Sequence, residues 1–496
     1  MIGAPPWAAH LAPGRRWEDV DLGAGGSIPA VTATLARAAP ERPVLHAPGR
    51  GWVTRGELED RSARLAGRLA GIGLRTGDRI LCSAEASAAL VELHLAALRL
   101  GAVVVPANTA YLREELAHLV RDARPVAAVV DRADAAAWVA EAAPEVVVLD
   151  PNVDVPDGPV PALDRAEAGD PGMICYTSGT TGRPKGAVLT HGNLLAGVHA
   201  VRLAWRWTED DRLVLALPLF HVHGLAIGLH GTLVAGAAAV LVPRFTPEGV
   251  LDAVAGHGAT LFFGVPTMYA RLAADPRGAE LSRLRLCVSG SAPLDPALHR
   301  RIRERTGQVV LERYGMTETL LLVSNPHDGE RRPGTVGWPL PGVELRLGPG
   351  DEIVVRGPSV FPGYWERPDG DAFSDGWFRT GDVGRFDEGY LRIVGRTKDL
   401  IITGGLNVYP REVEDALLDH PAVAEVAVVG VPSGEWGETV VAFVVASPAR
   451  EPVEAELIDH CRARLASFKC PREVRVVRSL PRNALGKVLR DQVGLS

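Results

Sequence analysis

YTSGTTGRPKGAVLTH, residues 176–191, gathers hydroxyl side chains and glycines around a single lysine, Lys185, as loops that grip phosphate do. It is not the P-loop GxxxxGK[ST], whose lysine stands at the mouth of a helix with a hydroxyl beside it for magnesium. Lys185 follows Pro184 and precedes Gly186, so it opens no helix and no hydroxyl follows it. What remains is a run of backbone N–H groups and hydroxyls, Thr177, Ser178, Gly179, Thr180 and Thr181, that can wrap an anion as a nest does. The stretch reads as a polyphosphate loop of another kind.

Outward from this loop the chain is α/β. Between residues 28 and 150, alanine-rich helical stretches alternate with the short β-branched runs RILCSAE, AVVVPAN, VAAVVD and EVVVLD, the pattern of a parallel sheet covered by helices. The alternation returns from 170 to 325 through RLVLALPL, AAVLVP, TLFFGVP, LRLCVSG and GQVVLERYG, so two helix-covered sheets are expected. After 330 the texture turns to Gly/Pro-punctuated strands, as in a small barrel-like sheet. From GRTKDLI onward a smaller α+β unit follows, its helix begun by Pro410 in the first turn. The expected domains are 1–396 and 397–496.

At 496 residues the chain exceeds one ordinary core. A formal net charge of -7 offers no general pull toward nucleic acid. The five cysteines form no CxxC pair and sit in no histidine cluster, so buried thiols in a reducing cytosol are expected, not zinc or disulfides. The amino end has no apolar run behind a basic start, which argues against a signal peptide and for a cytoplasmic protein. The uncharged stretch 224–243 is nearly long enough to span a bilayer. Its glycines, His230 and closing Pro243 instead predict a buried helix followed by a core strand, with no membrane partner. Only four of the 53 basic residues are lysine: Lys185, Lys398, Lys469 and Lys487. In an arginine-writing chain, a lysine marks a place needing a compact, rotatable ammonium; Lys469 alone reads more plainly as chance.

YTSGTTGRPKG, RYGMTE (313–318), RTGD (379–382), GRTKDLI (395–401) and PRNALGKV (481–488) occur in this order. Together they resemble the adenylate-forming superfamily of acyl-CoA synthetases, luciferases and peptide-synthetase adenylation domains. The resemblance covers essentially the whole chain. It implies ATP, Mg2+ and coenzyme A as co-substrates, and an acid joined to CoA in two steps through an acyl-adenylate. Lys487 would bridge the acid and the α-phosphate, two anions whose approach needs a preorganised cation. Glu318 would ligate magnesium, which asks for oxygen donors, with Thr317 at the phosphates. The turn Ser291, Ala292, Pro293 would wall the adenine, with Glu312, Arg313 and Tyr314 beside it. Asp382 would take the ribose hydroxyls and Arg396 support ribose or phosphate. Lys398 would be the hinge of a mobile carboxyl-terminal domain, and Gly404 and Gly405 would line the pantetheine tunnel. The resemblance also names a lysine acetyltransferase acting on Lys487 as a partner, and a monomer or dimer.

For the acid, LALPLFHVHGLAIGL, GVPTMYARL and TETLLLVSNPHDG look most like malonyl-CoA synthetases. A dicarboxylate carries a distal charge that a closed pocket must pair. Arg271, a fork suited to a carboxylate, is the expected partner. His221 and His223 would orient the acid, and Val222 and Met316 border its α-carbon with room for a methyl branch, so malonate with methylmalonate tolerated is the reading. The alternatives are a ligase for a short-chain or aromatic monocarboxylic acid and, from another class, a P-loop-like NTPase releasing phosphate. An amino-acid adenylation domain, a luciferase and a non-catalytic nucleotide- or CoA-binding module fit the residues less well.

Overall fold

The computed structural model describes residues 4–22, 25–152, 155–177, 184–367, 372–403, 406–433, 436–448, 450–483 and 486–494. The chain packs as two compact units, Met1–Glu344 with Arg356–Gly376, and Leu345–Val355 with Trp377–Ser496.

In the first unit the apolar runs read from the sequence are the strands. Arg79–Ser83, Val103–Pro106, Ala127–Val130, Val147–Leu149 and Pro171–Thr177 lie parallel. The inner strands are almost wholly buried, as strands covered on both faces must be. Lys185–Thr190 turns back antiparallel on Pro171–Thr177, and the short strand Gly363–Tyr364 closes that edge. A nine-stranded sheet holds Arg212–Leu215, Ala238–Leu241, Leu261–Gly264, Leu286–Ser289 and Leu311–Met316 as parallel neighbours, with Leu320–Ser324 antiparallel at one side. Both predicted helix-covered sheets are therefore present.

The stretch 224–243 is interior. It forms a π-helix, His223–His230, then the helix Gly231–Ala235 and the strand Ala238–Leu241, all buried. No helix among the described residues is long and apolar enough to cross a membrane. The rare i→i+5 winding widens the turn that carries His223. At its far end His230 Nε2 lies 2.7 Å from His94 Nε2, both rings buried. One ring donates and the other, which must be neutral, accepts. Burial, with neighbouring His191 adding to it, lowers His94 to about 3, and His230 is likewise held well below its ordinary range.

The second unit contains a small antiparallel sheet built from Glu344–Leu347, Glu352–Arg356, Trp377–Asp387 and Tyr390–Arg396. An α+β layer follows. Val423–Ser433 and Gly437–Ala446 run antiparallel, Glu473–Val477 joins them in parallel, and the hairpin Ile401–Thr403 with Leu406–Val408 flanks them. The helices Pro410–Leu418 and Glu454–Arg462 cover its core. The expected class, two covered sheets and a small barrel-like sheet with a smaller α+β part, is what the chain forms. The boundary expected between 396 and 397 falls inside this second unit; as a statement of where the chain turns it remains a proposal. All five cysteines are buried and free, and Lys469 pairs with Glu412.

The buried histidine pair fixes the sign of an acid effect. The unfolded chain binds protons near the ordinary value of 6.5, whereas folded His94 resists them to about 3, so stability is lost as pH falls below 6.5. Thermal unfolding of the whole chain is expected at progressively lower temperature from about pH 7 to about pH 5. His94→Gln, which keeps a donor for His230 but does not titrate, is expected to flatten that slope.

Candidate active site

The polyphosphate loop hangs on a hairpin. Thr177 ends one strand and pairs with Lys185, which begins the next. Ser178, Gly179, Thr180 and Thr181 lie outside the described residues. Both stems are braced by the helix Arg113–Ala123. Tyr176 Oη donates to Asp122 at 2.6 Å, and His118 Nε2 donates to the Pro184 carbonyl at 2.9 Å. The Lys185 ammonium lies over the Tyr364 ring, 5.5 Å from its centroid, within cation–π range.

Glu318 and Thr317 sit in the turn between Leu311–Met316 and Leu320–Ser324. The turn is tight because Gly315 lies against the opposite strand: a Cβ there would come 2.0 Å from the Leu320 carbonyl. The Glu318 carboxylate is buried and accepts a hydrogen bond from Tyr364 Oη at 2.9 Å. No cluster of three His, Cys, Asp or Glu that could hold a metal exists among the described residues. One carboxylate beside a phosphate loop fits magnesium, which binds through one or two carboxylates plus the phosphates of its nucleotide.

Ser291 stands in a left-handed conformation, φ 68°, and its Oγ lies 3.3 Å from His223 Nδ1. Ala292 and Pro293 complete the turn. Glu312 holds it from behind, its carboxylate accepting from the Leu294 backbone N–H at 2.9 Å. Tyr314 and Met316 are half-buried on the same strand, and Val222 half-buried just before the π-helix. Beside this turn lies Arg313. A Cβ on Gly290 would sit 2.3 Å from its Cζ, so only glycine lets the guanidinium through. Arg313 is buried, and its Nε and Nη2 find no hydrogen-bond partner among the described residues. Burial lowers its guanidinium to about 9. Burial first, and the Arg313 charge second, lower His221 to about 4 and hold His223 well below its ordinary range, so both are neutral imidazoles facing a bare cation. Arg271, the cation expected from sequence, is exposed on the helix Pro266–Ala274 with its guanidinium over Phe245, 5.0 Å from the centroid. The buried cation among the histidines is Arg313 instead.

In the second unit, Asp382 and Arg396 are cross-strand partners, Arg396 Nε lying 2.7 Å from Asp382 Oδ1. Lys487 belongs to the same neighbourhood. Its backbone N–H donates to Asn483 Oδ1 at 2.9 Å, and the Asn483 N–H donates to the Lys487 carbonyl at 2.9 Å. Although much of the side chain is exposed, the surrounding protein and then the positive Arg396 lower the ammonium to about 8, with Asp382 opposing. Lys398 is exposed in the short turn Thr397–Asp399. Gly404 and Gly405 lie outside the described residues, between the strands Ile401–Thr403 and Leu406–Val408.

Residues 33–365 match the AMP-binding enzyme family, and residues 412–487 match the AMP-binding enzyme C-terminal domain. The chain belongs to the AMP-binding enzyme family. This AMP-binding enzyme is 39% identical over 461 residues to a feruloyl-CoA synthase of Amycolatopsis sp, covering 89% of this chain and 93% of that one. It is 36% identical over 514 residues to a mitochondrial malonate–CoA ligase of Mus musculus, covering 89% and 86%. Among solved structures, ATP-bound MatB from Rhodopseudomonas palustris superposes with a TM-score of 0.87 at 40% identity, over 93% of this chain and 97% of that one.

Several residues of this AMP-binding enzyme's site escape a sequence reading. His118 and Asp122 lie in REELAHLVRDA, which looks like any surface helix. Tyr364 lies in PGYW, a turn-rich segment, and Asn483 in PRNALGKV, where the lysine draws the attention. Arg313 stands in RYGMTE, where the nucleotide reading absorbs it.

A buried charge without a partner carries a desolvation penalty of several kcal/mol, which an apolar side chain of similar length does not. Arg313→Met of this AMP-binding enzyme is therefore expected to unfold at the wild-type temperature or above it, measured calorimetrically without substrates. A large drop would mean that Arg313 is structurally paired.

Proposed function

We propose that this AMP-forming acyl-CoA ligase activates malonate, with methylmalonate accepted beside it. The single observation that carries the reading is Arg313: a guanidinium enclosed with two neutral histidines and no counter-charge among the described residues. An acid that brings a second anionic group supplies the missing charge. A monocarboxylate does not, and leaves the cation buried alone, which costs several kcal/mol. The similarity to a malonate–CoA ligase supports this reading. The equal similarity to a feruloyl-CoA synthase favours an aromatic monocarboxylate as the second reading.

In the first step the carboxylate that is not paired with Arg313 attacks the α-phosphate of ATP, and pyrophosphate leaves. By the family resemblance, Lys487 would bridge the two anions and offset the charge gathering in the transition state. Lys185 and the hydroxyls of the loop hold the β- and γ-phosphates. Magnesium, when bound, neutralises phosphate charge, and Glu318 with Thr317 supplies its protein side. The Ser291, Ala292, Pro293 turn and Tyr314 receive adenine, and Asp382 with Arg396 receives ribose. Val222 and Met316 border the α-carbon, and their modest bulk leaves room for a methyl branch. In the second step the CoA thiol attacks the acyl carbonyl and AMP leaves. Because Lys487 covers that carbonyl in the first step, the second needs the carboxyl-terminal residues to turn about Lys398, bringing Gly404 and Gly405 to the pantetheine.

The test is a panel of acids, malonate, methylmalonate, propionate, hexanoate and ferulate, read by pyrophosphate release and by trapping the adenylate with hydroxylamine. Malonate is expected to lead in kcat/KM by at least ~30-fold over propionate, and Arg313→Met to erase that lead, since truncating one partner of a buried charge pair costs about 2–5 kcal/mol. Ferulate or propionate turned over best would sink the dicarboxylate reading. ADP and orthophosphate as products would sink adenylation itself.

A further inference from the structure

One tyrosine touches both halves of the phosphate machinery, and neither composition nor motif points to it. Tyr364 Oη donates to the Glu318 carboxylate at 2.9 Å, while the face of the same ring lies under the Lys185 ammonium. The strand register explains why. Tyr364 pairs with Ala187, and Lys185 is two residues from Ala187 on the same face of its strand. The lysine is thus the diagonal neighbour of Tyr364, a position that long and aromatic side chains reach.

The segment that carries the ring is held by hydrogen bonds at its backbone, and the ring itself by a neighbouring aromatic. Asn193 Nδ2 donates to the carbonyls of Pro358 and Val360, both at 2.9 Å, which fixes the segment leading into the strand. The Phe361 N–H donates to the Glu318 carbonyl at 2.8 Å. The Phe361 ring stands edge-on to Tyr364, with centroids 4.9 Å apart. Backbone and side chain of Glu318 are therefore both tied to the segment that carries Tyr364.

We propose that Tyr364 is a positioning residue that aims the Glu318 carboxylate at the magnesium of ATP through its hydroxyl and sets Lys185 at the phosphates through its ring. It does for a carboxylate ligand what hydrogen-bonding partners behind a metal site do generally: it fixes orientation, and losing such a partner weakens metal binding by about 10–100-fold. A tyrosine that only fills space would act through its ring alone, so its hydroxyl would be dispensable. The inference rests on Glu318 serving the metal and is independent of which acid the enzyme takes.

The two functions separate in two variants, read by calorimetric ATP binding without acid or CoA. Tyr364→Phe keeps the ring and loses the hydroxyl. The Mg2+ concentration giving half-maximal ATP binding is expected to rise at least ~10-fold, with ATP affinity in EDTA unchanged. Tyr364→Leu loses both, and its ATP affinity in EDTA is expected to fall by a further ~2–5-fold, the worth of an exposed cation–π contact. A wild-type Mg2+ titration for Tyr364→Phe would overturn the assignment, as would a loss of affinity equal with and without Mg2+. Glu318→Gln separates the premise from the inference. If its Mg2+ dependence is that of the wild type, the metal role of Glu318 fails; if only Tyr364→Phe is silent, Tyr364 alone fails. Should Tyr364→Phe lose cooperative unfolding, Phe361→Leu takes its place: it removes the buttress and leaves the hydroxyl, and a smaller shift of the same sign is expected, with no shift counting against the proposal.

Discussion

A positive charge shut into protein without a counter-ion is the constraint on which the site depends. Arg313 is carried into the interior by a core strand, admitted by Gly290, and left with Nε and Nη2 unpartnered among the described residues. Folding such a group is unfavourable, and the cost is recovered only when an anion arrives. Lys487 shares this in part: burial, and next the positive Arg396, lower its ammonium, with Asp382 opposing. Both cations suit ligands that carry negative charge, and burial first, with the Arg313 charge second, keeps the histidines near Arg313 neutral.

Backbone geometry places the other groups of the site. Gly315 lets the Glu318 turn close against its neighbouring strand, and the wide turns of the π-helix set His223 beside Ser291. The loop hairpin is propped by His118 and Asp122 on one helix. Each of these is a case in which packing fixes a side chain before any substrate binds, the kind of preorganisation that charge-stabilising chemistry uses.

Much of this was legible in the primary sequence. The β-branched runs RILCS, AVVVP, LFFG and LCVS announce buried strands because only such strands need no polar face, and they are strands. The Gly/Pro-rich change after 330 marks the small antiparallel sheet. Where one residue decides a role, the sequence is less informative. Arg271 and Arg313 both lie in chemically suggestive segments, and nothing in 49 arginines tells which one is enclosed. Burial is settled by the fold, here by Gly290 standing opposite. Tyr364 is still harder to find, since its importance comes from strand register with Ala187 and from a contact with Glu318 46 residues away in sequence.

The most direct measurement compares malonate with its monomethyl ester, which has nearly the same shape and one charge fewer. Their affinities are read by calorimetry against wild-type enzyme holding a non-hydrolysable ATP analogue. If Arg313 waits for a second anionic group, malonate binds at least ~30-fold more tightly than the ester, the lower end of what a buried charge pair is worth. Equal affinity for the two would show that Arg313 does not read that charge, and would contradict the assignment of the pocket.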